Sequence, residues 1–218
     1  MESQKQLYNI VDFGYDIITR TIDTHHYPEI ICMVWPRQYG KSESVATLID
    51  ALLVRWEGAK IGVMSNTTSN AEKMLERIAD FLNHSIFADM IKRHRVDELR
   101  LSNDAAVYAF GQTENIRGND LWWLFLDEAA QMDDALIEGA ALPCVRTAGA
   151  YKKFGTPSII MLSTPRGAEG YFINNYLKGI ALRKLGCKKC KTLFRQPDFP
   201  NSKGWDHPRF LPLELPEC

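Results

Sequence analysis

The segment WPRQYGKSES, Trp35–Ser44, contains residue types that bind phosphate. In a phosphate-binding loop a glycine lets the backbone approach the anion, a lysine reaches the β- and γ-phosphates, and a hydroxyl binds Mg²⁺. Gly40, Lys41 and Ser42 supply these three groups in that order. Trp35 occupies the position of the first glycine in the usual pattern, G-x-x-x-x-G-K-[ST]. The segment predicts a nucleotide site, although G-K-S alone also fits a glycine turn followed by a solvated lysine.

A second chemical feature is an acidic pair that ends an apolar run, in the stretch WLFLDEAAQ, Trp123–Gln131. The carboxyl ends of parallel strands are where α/β sheets bind ligands. At such an end we expect Asp127 to coordinate Mg²⁺ through water. Glu128 would then orient or deprotonate the water that attacks the γ-phosphate. The alternative is an acidic pair that only caps the next helix.

The elements that position these groups follow from hydrophobic periodicity. Four short apolar runs predict buried, parallel strands at Glu29–Trp35, Lys60–Ser65, Trp122–Asp127 and Ser158–Ser163. Apolar residues at helical spacing predict one helix after Ser42 and a second that opens at the capping-box pattern Ser69–Glu72. The alternation of strands and helices predicts an α/β fold with a mostly parallel central sheet flanked by helices.

One segment departs from this alternation. Glu98–Phe110, ELRLSNDAAVYAF, has the pattern of a hairpin that turns at Asn103 and Asp104. The tail after Gly186 is rich in Lys and Pro and has little periodicity. We therefore expect a globular domain over residues 1–185, and a basic, Pro-rich linker or arm over residues 186–218.

Composition limits the classes of protein that the chain can belong to. With 218 residues, 45% hydrophobic and 24% charged, it can bury a good core. A formal net charge of −1 excludes wholesale attraction to nucleic acid, so any DNA contact must be local. Cys32 in an apolar run and Cys144 beside a proline suggest reduced thiols. With no membrane-length apolar stretch and no signal-peptide pattern, we expect an intracellular, soluble protein.

Together these segments resemble the ATPase domain of the large terminase subunit, the motor that packs viral DNA into procapsids. That family's phosphate loop often lacks the first glycine and reads R-Q-x-G-K-[ST], which Arg37–Ser42 matches throughout. ENIRGND, Glu114–Asp120, resembles the turn that precedes the family's acidic strand, and LSTPRG, Leu162–Gly167, resembles its coupling motif. The resemblance spans about Ile30–Gly170.

The resemblance implies a P-loop NTPase of the additional-strand catalytic glutamate type. It implies that nucleotide is bound by Arg37, Gln38, Tyr39, Gly40, Lys41, Ser42 and Glu43. Mg²⁺ would be held by Ser42 and Asp127, and Glu128 would act on water. Arg37 would stabilise the γ-phosphate within one subunit. Ser163 and Thr164 would form the coupling motif, unless this hydroxyl pair merely caps a strand before Pro165.

Arg117 resembles the family's arginine finger, which acts on the ATP of a neighbouring subunit. Alternatively, Arg117 anchors its own turn by pairing with Glu114 or Asp120. In that case Arg146 and Arg166 would be the next candidates for the finger.

Ligands, partners and location follow from the resemblance as expectations. They are ATP, Mg²⁺, double-stranded DNA, a homo-oligomeric ring on a portal, and a small terminase subunit, with no membrane, in the host cytoplasm. The family normally continues into an RNase H-like nuclease, for which we find no carboxylate cluster. We therefore expect no metal-dependent nuclease activity from this polypeptide.

Three features stay open. An adenine platform could use Tyr8, Phe13, Tyr15 or Tyr27, although core packing explains each of them as well. Cys187 and Cys190 have the spacing of half a zinc site, which His207 and Cys218 could complete. The charged residues within Lys178–Arg195 are all basic and fit either a solvated arm or a surface for DNA or a neighbouring subunit.

Two other functions also fit the motifs. A helicase or other DNA translocase shares the phosphate loop and the acidic pair. A nucleotide-gated assembly module would bind ATP without turning it over, and the presence of Glu128 argues against it.

Overall fold

The structure is a computed structural model that describes residues 30–34, 40–148, 158–164, 169–185 and 209–212. Its strands are β1 Ile30–Val34, β2 Lys60–Ser65, β3 Ile91–His94, β4 Glu98–Leu101, β5 Ala106–Phe110, β6 Trp123–Asp127, β7 Ser158–Ser163 and β8 Arg209–Pro212. Its helices are α1 Lys41–Arg55, α2 Thr68–Asn83, α3 Asp134–Leu136, α4 Leu142–Ala148 and α5 Tyr171–Leu185. A π-helix, Ile137–Ala141, joins α3 to α4, and short 3₁₀ turns cover Ala88–Met90, Glu114–Ile116 and Ala129–Gln131.

The eight strands form one sheet in the order β3-β4-β5-β2-β6-β7-β1-β8. The five central strands, from β5 to β1, pair in parallel. Antiparallel pairs, β3 with β4, β4 with β5, and β8 with β1, occur towards the two edges. The predicted α/β class with a mostly parallel sheet is therefore confirmed. Strand β7 lies between β1 and β6, as the additional strand of the predicted type would.

The sheet is buried on both faces, and its side chains alternate between two hydrophobic clusters. On one face Ile61 and Phe125 pack with Ile49 of α1 and with residues of α2. On the other face Leu124 and Leu126 pack with Phe172 of α5 and with the π-helix. Successive residues of a strand point to opposite faces, so β6 contributes to both clusters. Full burial of each such apolar side chain stabilises the fold by about 1.5–3 kcal/mol.

Several local predictions can be compared with the structure. The hairpin predicted at Glu98–Phe110 is present as β4 and β5, and Asp104 in its turn has a φ of 62°. Helix α2 begins at Thr68 rather than at the predicted capping box, because Thr67 Oγ1 accepts a hydrogen bond from Asn70 N at 3.2 Å. Strand β3 was not predicted, since its sequence IKRH alternates poorly and its residues are mostly exposed. Cys32 and Cys144 are buried free thiols, as expected.

The predicted boundary between a domain at 1–185 and a tail at 186–218 stays a prediction. Within the tail, only Arg209–Pro212 is described, and it adds an antiparallel strand to β1. Among the described helices, none is both long enough and apolar enough to cross a membrane.

Candidate active site

The candidate site lies at the carboxyl ends of adjacent parallel strands. Strands β1, β7 and β6 are neighbours, and the paired residues at the ends of β6 and β7 include Asp127 opposite Leu162. Helix α1, which follows β1 in the chain, begins with Lys41. This topology places Lys41, the acidic pair and the hydroxyl pair Ser163–Thr164 at one edge of the sheet. The structure thus brings together predicted site residues from three separate segments.

Gly40 starts helix α1 in a conformation that favours glycine. Its φ is 73° and its ψ is 25°, in the left-handed region, where a side chain would be strained. Its carbonyl accepts the first helical hydrogen bond, from Ser44 N at 2.9 Å. Within the described residues, no side chain caps this helix end. The first turn of α1 therefore presents the partial positive charge that attracts anions.

Lys41 is held by both members of the acidic pair. Its Nζ lies 2.5 Å from Glu128 Oε1 and 2.9 Å from Asp127 Oδ1. The three side chains are only 10%, 15% and 24% exposed for Lys41, Asp127 and Glu128. One ammonium group shared by two carboxylates leaves this largely buried trio with a net charge of −1. The site is thus electrically suited to accept a further cation.

Glu128 occupies a strained backbone conformation. Its φ of 58° and ψ of 42° place it in the left-handed region, which non-glycine residues rarely adopt. Such strain is concentrated at functional sites, where the surrounding structure holds it. This turn directs the Glu128 carboxylate towards Lys41 on one side and towards the end of β7 on the other.

Both oxygens of Glu128 are hydrogen-bonded. Oε2 accepts from Thr164 Oγ1 at 3.2 Å, and from Thr164 N and Ser163 Oγ at 3.3 Å each. Burial acts to raise the pKa of Glu128, but the hydrogen bond and charge of Lys41, with the two donors of Thr164, outweigh it. The pKa of Glu128 consequently lies below its usual value, so the carboxylate is ionised at neutral pH.

The donor groups at this edge fit Mg²⁺. Asp127 Oδ1 is buried, and among the described residues its close partner is the ammonium of Lys41, without an aligned hydrogen bond. Ser42 adds a hydroxyl in the first turn of α1. Oxygen donors of this kind suit Mg²⁺, which in phosphate sites takes one or two protein ligands and completes its shell with water and substrate phosphates. Within the described ranges, no group of three or more His, Cys, Asp or Glu side chains could hold a metal ion without further ligands.

Some predicted site residues lie elsewhere. Arg37, Gln38, Tyr39 and Arg166 are outside the described residues, as are the four aromatic candidates for adenine and the four candidate zinc ligands. Glu43 is described, and its Oε1 pairs with Arg77 Nη1 of α2 at 3.2 Å on the surface.

Arg117 is exposed on the turn between β5 and β6, next to Gly118, whose φ is 82°. Asn119 Nδ2 and Cys144 Sγ both donate to the carbonyl of Ile116, at 2.9 Å and 3.0 Å. These two hydrogen bonds therefore hold the backbone of the turn in place. Arg146, the other described candidate for the finger, belongs to α4.

Two amide side chains at the site were not predicted. Gln131 Nε2 lies 3.3 Å from Glu128 Oε2, and Asn66, at the end of β2, lies next to Gln131. Gln131 follows the acidic pair in the stretch WLFLDEAAQ, and Asn66 directly follows an apolar strand. A polar residue directly after a strand of a parallel sheet is a signal that points to Asn66. Gln131 lies four residues beyond the end of β6 and carries no such signal.

A family of helicase domains matches most of the described part of this chain. Residues 34–170 match the family model described as "RNA cytidine acetyltransferase NAT10/TcmA, helicase domain". The chain belongs to this helicase-domain family. The match covers the described part of the phosphate loop, the acidic strand and the end of β7. The family assignment therefore rests on the same segments that form the candidate site.

Terminase proteins are also similar to this chain. The tripartite terminase subunit 3 of Gallid herpesvirus 2 is 30% identical over 125 residues, which cover 52% of this chain and 16% of that protein. The large terminase ATPase domain of Thermus phage P74-26 has a TM-score of 0.60 at 21% identity, with 74% and 68% of the two chains covered. The large terminase of a thermophilic bacteriophage, solved in complex with ATP-gamma-S, has a TM-score of 0.53 at 18% identity, with 77% and 41% covered.

The predicted resemblance to the ATPase domain of large terminases is confirmed by these matches in sequence and in structure. At these identities the solved structures establish a shared fold, which agrees with the predicted α/β class. The matched region spans about a sixth of the herpesvirus relative, 16% of its length. The chain thus belongs to the helicase-domain family and shares the fold of the large terminase ATPase domain.

Proposed function

We propose that this chain is the ATP-hydrolysing motor domain of a viral DNA-packaging terminase, which couples ATP hydrolysis to translocation of double-stranded DNA into a procapsid. The observation that carries the proposal is the convergence of Lys41, Asp127, Glu128 and Thr164 at one edge of the sheet. A lysine for the phosphates, a carboxylate for Mg²⁺ and a residue that orients the attacking water are groups that recur in phosphoryl transfer from ATP to water. The hydroxyl of Thr164 contacts the last of these residues, Glu128.

Nucleotide binding would exchange the partners of Lys41. The phosphates of ATP at the start of α1 would attract its ammonium away from the acidic pair. Asp127 and Ser42 would hold Mg²⁺, which neutralises charge on the phosphates when bound. Glu128 Oε1, which now contacts Lys41, would then be available to a water molecule. Glu128 would then orient that water and accept its proton as the water attacks the γ-phosphate.

Ser163 and Thr164 would couple the chemical state of the site to the rest of the domain. Their hydroxyl groups donate to Glu128 Oε2, and Ser163 Oγ also accepts from Ala130 N at 3.3 Å. A change in the position of Glu128 during turnover would therefore shift the end of β7 and the segment that follows β6. This supports the coupling role that the terminase resemblance implies.

The two arginines would complete the charge stabilisation. Arg37 would act on the γ-phosphate within its own subunit, together with Gln38 and Tyr39 of the loop. Arg117 would act on ATP bound to a neighbouring subunit, which is consistent with its exposure on a turn at the domain surface. A guanidinium delivered in this way accelerates phosphoryl transfer by about 10³ to 10⁵ in other systems.

The partners follow from the same proposal. The motor would act in the host cytoplasm as a homo-oligomeric ring on a portal, with a small terminase subunit and double-stranded DNA. One relative in sequence is a subunit of a tripartite terminase, which supports assembly with other chains.

The test is phosphate release from ATP with and without double-stranded DNA. The proposal predicts slow hydrolysis by the isolated chain and faster hydrolysis with DNA and assembled subunits. Lys41→Ala is the negative control, since it removes the group that binds the phosphates. Absence of magnesium-dependent hydrolysis under all these conditions would contradict the proposal.

A second candidate, a helicase or another DNA translocase, is favoured by the helicase-domain family match. A strand-displacement assay on partly duplex DNA or RNA separates the two. A packaging motor should hydrolyse ATP without unwinding the duplex, whereas a helicase should release the displaced strand. A nucleotide-gated assembly module would assemble with ATP and release no phosphate at all.

A further inference from the structure

Gln131 contacts the carboxylate of Glu128, the candidate general base. The 3₁₀ turn Ala129–Gln131 starts from Glu128, and Gln131 N donates to the carbonyl of Glu128 at 2.8 Å. This turn brings the side chain back, so that Gln131 Nε2 lies 3.3 Å from Glu128 Oε2. Gln131 therefore reaches the carboxylate on the same oxygen as Thr164, opposite the oxygen that contacts Lys41.

Two further amides continue from Gln131 to the start of helix α2. Asn66 Nδ2 lies 3.5 Å from Gln131 Oε1, and Asn70 Nδ2 lies 3.0 Å from Asn66 Oδ1. Ser65 Oγ donates to the same Asn66 oxygen at 3.3 Å. We call Glu128, Gln131, Asn66 and Asn70 the amide relay. It joins the end of β6 to the end of β2 and the first turn of α2.

The hydrogen bonds of the amide relay can run from donor to acceptor in one direction only, and the carboxylate of Glu128 sets that direction. An ionised carboxylate can only accept hydrogen bonds, so Gln131 must turn its NH₂ group towards Glu128. Its carbonyl oxygen then faces Asn66, which must also donate, and Asn66 in turn accepts from Asn70. Both polar ends of the Gln131 and Asn66 amides are thus engaged, and neither amide can flip without losing at least two contacts. A chain of this kind fixes the orientation of the amide next to the carboxylate.

We propose that Gln131 is a positioning residue for Glu128, held in the required orientation by Asn66. The inference rests on the proposed ATPase function and deepens it. The terminal torsion of a glutamate is broad, so its carboxylate plane must be set by hydrogen bonds. Lys41 sets the plane of the carboxylate only until its ammonium group moves to a nucleotide phosphate. Gln131, with Thr164, holds Oε2 when Lys41 has left, and keeps Oε1 directed at the water.

The test is a double-mutant cycle between Gln131 and Glu128. Gln131→Leu should lower kcat by about 10- to 100-fold, as expected when a reacting group is misplaced, and leave the KM for ATP unchanged. In a Glu128→Gln background the same substitution should cause no further loss, because its effect passes through Glu128. Gln131→Glu should lower kcat at least as much, because a second carboxylate repels the first.

Gln112→Leu is the matched control. Gln112 Oε1 accepts a hydrogen bond from Asp133 N, so it holds the same segment without touching Glu128. This variant should keep a kcat within about twofold of the wild type, as expected for a site that does not contact the reacting groups. Thermal unfolding shows whether each variant is folded.

Three results would overturn the inference. The first is a wild-type kcat in folded Gln131→Leu, and the second is an equal loss of kcat in Gln131→Leu and Gln112→Leu. The third is a loss of kcat in the Gln131→Leu, Glu128→Gln double variant that equals the sum of the two single effects on the free-energy scale. Failure of the proposed function looks different, because the wild-type chain itself would then release no phosphate, and the inference would fall with it.

Discussion

Lys41 contacts both carboxylates of the acidic pair, and this arrangement sets the chemistry of the site. The ammonium stabilises two charges that lie at one strand end, and it lowers the pKa of Glu128 against the effect of burial. The same ammonium is the group that phosphates would attract. Lys41 thus has two competing roles, and the switch between them would link nucleotide binding to the release of Glu128.

Lys41→Ala should abolish nucleotide binding, because it removes the charge that holds the phosphates. It also removes the main group that lowers the pKa of Glu128, so this pKa should rise. Binding of a fluorescent ATP analogue measures the first effect, with Lys92→Ala as a control that removes an exposed charge on β3. Retained binding in Lys41→Ala would show that the phosphates are held elsewhere.

Asp50 of α1 gives a prediction about pH. Its Oδ1 is buried without a hydrogen-bond partner in the described part of the chain, and burial raises the pKa of Asp50 to about 8. An aspartate in the unfolded chain has a pKa of about 3.9. Between these values the folded state binds a proton that the unfolded state releases, so this group makes stability fall as pH rises from about 4 to 8.

Asp50→Asn should remove that dependence. The variant should unfold at nearly the wild-type temperature near pH 4 and at a higher temperature near pH 8. The gain in the free energy of unfolding at pH 8 should be on the order of 1 kcal/mol or more. Thermal unfolding of both proteins across this range measures it, and a constant difference at every pH would contradict the burial of this carboxyl group.

At the scale of elements, strand β2 packs closely against β6 and the segment that leads into it, and Gly62 lies at this contact. A Cβ built at Gly62 would lie 2.7 Å from Leu121 Cδ1 and 2.8 Å from Leu124 Cδ1. Both leucines are completely buried, so they have little room to move. The close approach of β2 to the segment that leads into β6 therefore requires glycine. It also sets the position of β6, and with it the acidic pair.

Gly62→Ala should consequently destabilise the fold by about 1–3 kcal/mol, the usual cost of overpacking a core. Gly139→Ala is the matched control, because a Cβ there has no neighbour within 4 Å. It lies in the π-helix and should be neutral or slightly stabilising. Chemical unfolding gives both values, and equal stability of the two variants would show that β2 can shift away from the leucines.

The elements of the site were largely predictable from sequence, whereas their side-chain contacts were not. The apolar runs ending at Ser65, Asp127 and Ser163 predicted the strands, because both faces of a parallel sheet are buried. The order of the strands in the sheet was not predicted, because pairing joins strands that are far apart in the chain. The contact between Lys41 and Glu128 joins residues 87 positions apart, and no local pattern reports it. Gln131 lies only three residues from Glu128, but its contact was missed because it depends on the left-handed turn at Glu128, which the sequence does not indicate.

At the scale of the whole molecule, Arg117 would make the active unit an interface between two chains. It lies on a turn that Asn119 and Cys144 hold from within, so the position of the turn does not depend on a neighbouring subunit. Such a turn can present a side chain across a ring interface. Each complete site would then combine Glu128 of one chain with Arg117 of the next.

Mixing inactive variants tests this arrangement. Arg117→Ala and Glu128→Gln chains should each be inactive, and together they should regain hydrolysis, because mixed rings contain interfaces with both residues intact. Phosphate release by the mixture, under conditions in which wild-type chains assemble and turn over ATP, is the readout. A mixture that stays inactive would make Arg117 a structural residue of its own turn and would direct attention to Arg146 and Arg166.

The central claim is that Glu128 acts on water at an ATP site built from Lys41 and Asp127. The most direct test is single-turnover phosphate release from magnesium-ATP by wild-type and Glu128→Gln chains, with ATP binding measured on the same samples. Glu128→Gln should bind ATP and lose turnover by on the order of 10² or more, as expected when a positioned base is removed. Equal rates of phosphate release from the two proteins would remove Glu128 from the mechanism and contradict the account.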